Sequence, residues 1–209
     1  MWNLEPMKMS PIKKMSFRAR GLLNDCRGIA AVEFAVIVPV MLVMFFGVVE
    51  FSSGLSVNRK VTLAARTLSD LVSQSTNVLD TDLTNAGQAA KAIMTPYPPA
   101  PLKSQITELY VDPATKVARV QWSKTLSIDS SGNVTFGVSA HAPKDVVVIP
   151  TDLQVGGTYV IWSEVSYVYV PAVGYVMAKT GVTLKDFTYT RPRQSACVTY
   201  PTPGNCPTL

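Results

Sequence analysis

The longest apolar run in the chain is Ile29 to Val49, IAAVEFAVIVPVMLVMFFGVV, 21 residues with Glu33 as the one charge. At ~1.5 Å per residue it reaches roughly 31 Å as a helix, about the thickness of a bilayer's hydrocarbon core. The run therefore predicts a membrane-spanning helix. A secretory signal peptide is the competing reading, but its apolar region is typically ~7 to 15 residues and a small-residue cleavage site follows it; only Ser52 and Gly54 offer one. Beyond Val49 the pattern changes from continuous to periodic. Val57, Val61, Ala64, Ala65, Leu68, Leu71 and Val72 recur at threes and fours, so the helix is expected to run on to about Ser73 with one face for a sheet. Asn58, Arg59, Lys60, Arg66 and Asp70 lie off that stripe, and Arg59-Lys60 reads as a solvated face. A second helix is expected from Asp82 to Met94, with Leu83, Ala86, Ala90 and Ile93 inward.

Pro96-Tyr97-Pro98-Pro99-Ala100-Pro101 can neither continue a helix nor sit in a central strand, so it closes the helical half. Downstream the period falls to two. Gln105 to Val111 and Val117 to Ser123 flank Asp112-Pro113-Ala114-Thr115 and predict a hairpin, and Asp129 to Asn133 gives a weaker second turn. Val146 to Ile149 reads as a short buried strand ended by Pro150. Thr158 to Val170 reads as a long strand with Tyr159, Ile161, Val165, Tyr167 and Tyr169 inward, and Leu184 to Thr190 as the last strand. The expected class is α+β, a long helix against an antiparallel sheet.

Charge locates the orientation signal. The chain carries 19 Lys and Arg against 14 Asp and Glu, but residues 1–28 hold six of the bases and two of the acids, +4 of the net +5. The remaining 181 residues are nearly neutral and their charges dispersed, which leaves no basic face for nucleic acid. Basic residues before the span and none after it until Arg59 place the amino terminus in the cytoplasm and the rest outside. Cys26 falls in the cytoplasmic part. Cys197 and Cys206, close together in the exported part, are expected to form a disulfide, which at that loop length stabilises by roughly 2.5 kcal/mol.

Candidate chemistry is sparse. There is one histidine, His141, expected in a surface loop, and no GxSxG, HExxH, CxxC or phosphate-cradling glycine loop. No metal set and no cofactor are expected, and the protein reads as a non-enzyme. Asp80-x-Asp82 reads as a helix cap rather than a calcium loop. Tyr159, Trp162, Tyr167, Tyr169 and Tyr175 could make a carbohydrate-stacking surface, but sheet core accounts for them more simply. Pro39 removes a backbone bond in mid-span and is a candidate kink. Glu50 at the exit of the span is expected to be solvated. Glu33 is the residue an ordinary anchor does not explain, since an ionised carboxylate inside a span costs a few kcal/mol unless paired or interfacial.

Arg27-Gly28 followed by Ile29-Ala30-Ala31-Val32-Glu33-Phe34 resembles the processing site of type IV prepilins. The whole of RGIAAVEFAVIVPVMLVMFFGVVEF, residues 27–51, is similar to the amino-terminal signature of the TadE-like pilus-assembly pseudopilins of the tight-adherence branch. Arg191-Pro192-Arg193 is similar to a closing stretch in such proteins. The resemblance implies a prepilin peptidase cutting between Gly28 and Ile29, with Glu33 and Phe34 at the fifth and sixth mature positions acting in assembly. It also implies bacterial inner membrane, a periplasmic carboxyl-terminal part, and other pseudopilins or pilins as partners. The expected organisation is a leader over 1–28, a span over 29–49, a helical stalk over 50–95 and a β-rich domain over 96–209. A permanently anchored exported adhesin or ligand-binding protein is the alternative, and an exported hydrolase a distant third.

Overall fold

The computed structural model describes residues 28–171 and 181–207. The basic leader before Gly28, Cys26 and Tyr175 lie outside them. The chain divides into two compact units between Val48 and Val49. The described part of the first is one stretch of helix, the leading portion of α1 (Ile29–Ser73), long and apolar enough to cross a membrane. None of its side chains is buried, so Phe34, Leu42 and Phe45 have no apolar cover among the described residues of the unit.

The second unit is built on the rest of α1. Its buried stripe is Val57, Val61, Ala64, Ala65, Leu68 and Val72, the three-and-four spacing of the sequence. Leu71, expected on that stripe, is 40% exposed. It follows Leu68 by three residues but falls on the edge of the face that Val61, Leu68 and Val72 define. Helix α2 (Asp80–Met94) begins two residues before its expected start and buries Leu83, Ala86, Ala90 and Met94. Its first turn is capped by Asp82, whose carboxylate accepts from the Leu79 amide at 2.9 Å.

The sheet is antiparallel in the order β3-β2-β1-β5-β6, from β1 (Leu102–Val111), β2 (Ala118–Ile128), β3 (Val134–Gly137), β5 (Tyr159–Tyr169) and β6 (Val182–Thr190), with a two-residue β4 (Val146–Val147) added to β2. Both expected hairpins form. In the first, the Asp112 carboxylate accepts from the Ala114 and Thr115 amides; in the second, Gly132 takes the positive φ that the turn needs. The expected strand over 146–149 is shorter: Val147 and Ile149 are buried while Val146 and Val148 face solvent, an alternation rather than a fully buried run. The fold is α+β. One sheet face carries Ile106, Leu126, Ile161, Val165, Tyr167 and Tyr169 against the helices, and the other a smaller cluster around Leu109, Val120, Val160 and Ile149.

The carboxyl-terminal tail completes the helix-side core. Cys197 and Cys206 are disulfide-bonded, with Cα atoms 5.6 Å apart. Val198 is wholly buried between them and the sheet, and Asn77 bridges in parallel to Thr199. Arg193, within the expected closing stretch, pairs with Asp70 at 2.6 Å and donates its amide to the Ser73 carbonyl, which ends α1 against the tail.

Candidate functional site

The motif residues sit together at the start of α1. Gly28 directly precedes the first helical residue, Ile29, and a Cβ built on Gly28 meets nothing within 4 Å. The glycine is therefore not required by packing. Glu33 and Phe34 are both exposed, Phe34 at 69%, and Glu33 makes no ion pair among the described residues. Pro39 lies inside the helix and is exposed among apolar neighbours. What this segment offers is an ordered apolar rod with one carboxylate a helical turn from its start.

Glu50 departs from expectation. It is only 3% exposed, and its carboxylate accepts from the Tyr169 hydroxyl at 3.2 Å. A charge at the exit of a span is satisfied most cheaply by water, but here the far end of β5 covers it. Burial and the Glu50 carboxylate push the Tyr169 phenol above its ordinary range. Lys60 also differs from its reading as a solvated side chain: its ammonium donates to the Ile93 and Thr95 carbonyls, both at 2.7 Å, and so closes the end of α2.

A buried acid that the sequence pattern hides lies at Glu108. It is fully buried on the helix side of β1, opposite Trp122 on β2 and Ile161 on β5. Alternation along β1, whose register against β5 is unbroken, carries it inward with Leu102 and Ile106, while the slip against β2 beside Glu108 is taken up by an extra residue of β2, Gln121. Its Oε1 accepts from the Val198 amide at 2.5 Å, and the Trp122 indole donates to the Val198 carbonyl at 2.7 Å. The two side chains thus take both polar groups of one tail residue. Oε2 has no partner among the described residues. Burial pushes the Glu108 carboxyl up to about 8, with the Val198 amide and Trp122 pulling the other way, so the acid is largely protonated at neutral pH.

Of the aromatics singled out from sequence, Tyr159, Tyr167 and Tyr169 are buried. Trp162 lies on the other sheet face, stacked on Tyr189 with centroids 5.9 Å apart. His141 is in a loop, as expected, but is not free in solvent: its ring lies 4.9 Å from Trp162 and its Nε2 3.5 Å from the Glu164 carboxylate. Among the described residues no group of three or more His, Cys, Asp or Glu side chains could hold a metal ion.

No curated protein and no solved structure matches the chain. A family match falls on the stretch whose geometry is simplest, an apolar helix that starts at an unpacked glycine and runs on to its first buried stripe: residues 28–69 match the model of the TadE-like protein family.

Proposed function

We propose that this protein is a single-pass, prepilin-like membrane subunit that takes part in assembling a tight-adherence pilus, that a prepilin peptidase removes residues 1–28, and that it acts by helix packing without turnover. The observation that carries the reading is the coincidence at Gly28: the family match, the helix and the apolar run all begin there or one residue later. Cleavage after Gly28 discards the basic leader and creates an ammonium on Ile29. Glu33 is then a carboxylate within one turn of an amine, on a stretch of helix with no buried side chain among the described residues. In a staggered array of such helices, Glu33 of one subunit meets the Ile29 ammonium of the next. An unpaired carboxylate is penalised in low dielectric, so the pair fixes the register. Companion subunits are pseudopilins or pilins with the same kind of helix, in the bacterial inner membrane with the sheet domain on the periplasmic side.

The test is the mass of the membrane-extracted protein. The mature chain begins at Ile29, and Gly28→Leu keeps the leader and abolishes piliation. Because a Cβ at Gly28 meets nothing within 4 Å, the substitution displaces no packed neighbour there, and unchanged membrane content of the variant separates failed recognition by the peptidase from misfolding. A wild-type chain beginning at Met1, or a Gly28→Leu strain with unchanged mass and pili, overturns the reading and favours the permanently anchored binding protein.

A further inference from the structure

The sheet face turned away from α1 has a cavity that assembly does not use. Beyond its small apolar cluster, this face is laid out in rows set by the register. Lys103, Ser166 and Lys185 are consecutive partners across β1, β5 and β6, and the next row is Gln105, Glu164 and Phe187. His141 overhangs the second row from the loop after β3, and together these side chains enclose about 550 Å³, the size range of small-molecule sites.

Three features define what would fit. Lys103 and Lys185 are both exposed and neither forms an ion pair among the described residues; two strand spacings put them about 10 Å apart with the Ser166 hydroxyl between. Asp186 also lines the cavity but its carboxylate accepts from Thr62 on the helix side, so with Glu164 close by the two ammoniums leave a single net positive charge on this face, which suits one carboxylate better than a doubly charged phosphate. Phe187 is 59% exposed and meets Tyr189 edge to face with centroids 5.7 Å apart, so most of the ring stays open beside the polar row. The half-buried Trp162 already packs against His141 and Tyr189, which leaves Phe187 the more exposed ring. The phenyl offers a smaller platform for the C–H face of a sugar ring, while Glu164 and His141 stand where hydroxyl groups would be met. Gln105 is held in place: its Oε1 accepts from Thr125 at 3.1 Å and from the Ala140 amide at 3.4 Å.

We propose that this cavity binds an acidic saccharide, with the carboxylate between Lys103 and Lys185 and a pyranose ring against Phe187. The site is independent of processing at Gly28. The test is calorimetric titration of the full chain in detergent micelles with a trisaccharide that carries a single galacturonic acid residue, alongside its methyl ester and inorganic phosphate. Acid trisaccharide binding is expected to weaken at least tenfold in Lys103→Ala/Lys185→Ala and in Phe187→Ala, and at least tenfold on esterification. Lys103→Gln/Lys185→Gln keeps the side-chain bulk and should weaken it equally. Absence of binding by the wild type at millimolar trisaccharide overturns the proposal, as does an ester that binds as tightly as the acid. Phosphate binding as tightly as the trisaccharide, and indifferent to Phe187→Ala, also overturns it.

Discussion

Between Ile29 and Val49, α1 carries no buried side chain, whereas between Glu50 and Ser73 it carries nine. Both stretches are helical and both are rich in apolar residues, but the first is apolar all round and the second apolar on a stripe. A helix apolar all round finds its partners in lipid or in other chains; a striped one finds them in its own fold. The carboxylates follow the same division. Glu33, on the leading stretch, pairs with no described residue, while Glu50 and Glu108, in the second unit, are buried and hydrogen-bonded. Groups that function within the chain are satisfied there, and the group that the pilus proposal needs is left for a neighbour.

The sharpest way to break this contrast is to make the same truncation on both stretches. Leu68 is fully buried and Leu42 is 49% exposed. Leu68→Ala should destabilise the sheet domain by about 3 kcal/mol, through lost burial and the cavity left behind. Leu42→Ala should leave it unchanged within about 0.5 kcal/mol. Urea unfolding of the full chain in micelles, followed by fluorescence of Trp122 and Trp162, measures both. Equal losses would mean that the leading stretch belongs to the folded core.

A subtler effect separates the buried acids from ordinary ones. Glu108 keeps its proton in the folded protein up to about pH 8, while the unfolded chain loses it near 4.5. Through that window the folded state holds more protons than the unfolded state, so stability falls as pH rises, by up to about 1.4 kcal/mol per pH unit, and levels off above about pH 8. Glu164, which burial also raises, tilts the curve the same way. Glu108→Gln keeps an acceptor for the Val198 amide and removes the titration. The difference between wild-type and Glu108→Gln stability across pH 5 to 8 therefore isolates this one group, and a difference that does not vary with pH would place the proton elsewhere.

These two residues also mark what the sequence could show. Leu68 was legible because helical periodicity repeats over several turns, and the long strands and both hairpins were legible for the same reason: local spacing and turn residues determine them. Glu108 was not, because alternation places it on the inner face but the Val198 amide that meets it there is ninety residues away. Lys60 and Glu50 were hidden likewise, since only tertiary closure brings Thr95 and Tyr169 to them. The cavity on the outer sheet face needs three strands in register and an overhanging loop, and its lysines are unremarkable in a one-dimensional reading. The Gly28 to Phe34 motif lies at the other extreme: it is contiguous, and so visible before any fold is known.

The smallest expected effect on stability carries the most weight for the assembly proposal. Glu33 is exposed and has no ion pair among the described residues, so Glu33→Gln removes a charge without emptying a contact. Its effect on unfolding of the sheet domain should be within about 0.5 kcal/mol. The amide cannot form an ion pair with the Ile29 ammonium of a neighbour, so pili should be lost or reduced while leader removal, stability and membrane content stay as in the wild type. Glu33→Asp retains the charge on a shorter arm and should recover part of the piliation. If Glu33→Gln assembles normally, the carboxylate is only a tolerated interfacial charge, and the contrast with Glu50 and Glu108 reduces to a difference in burial without functional meaning.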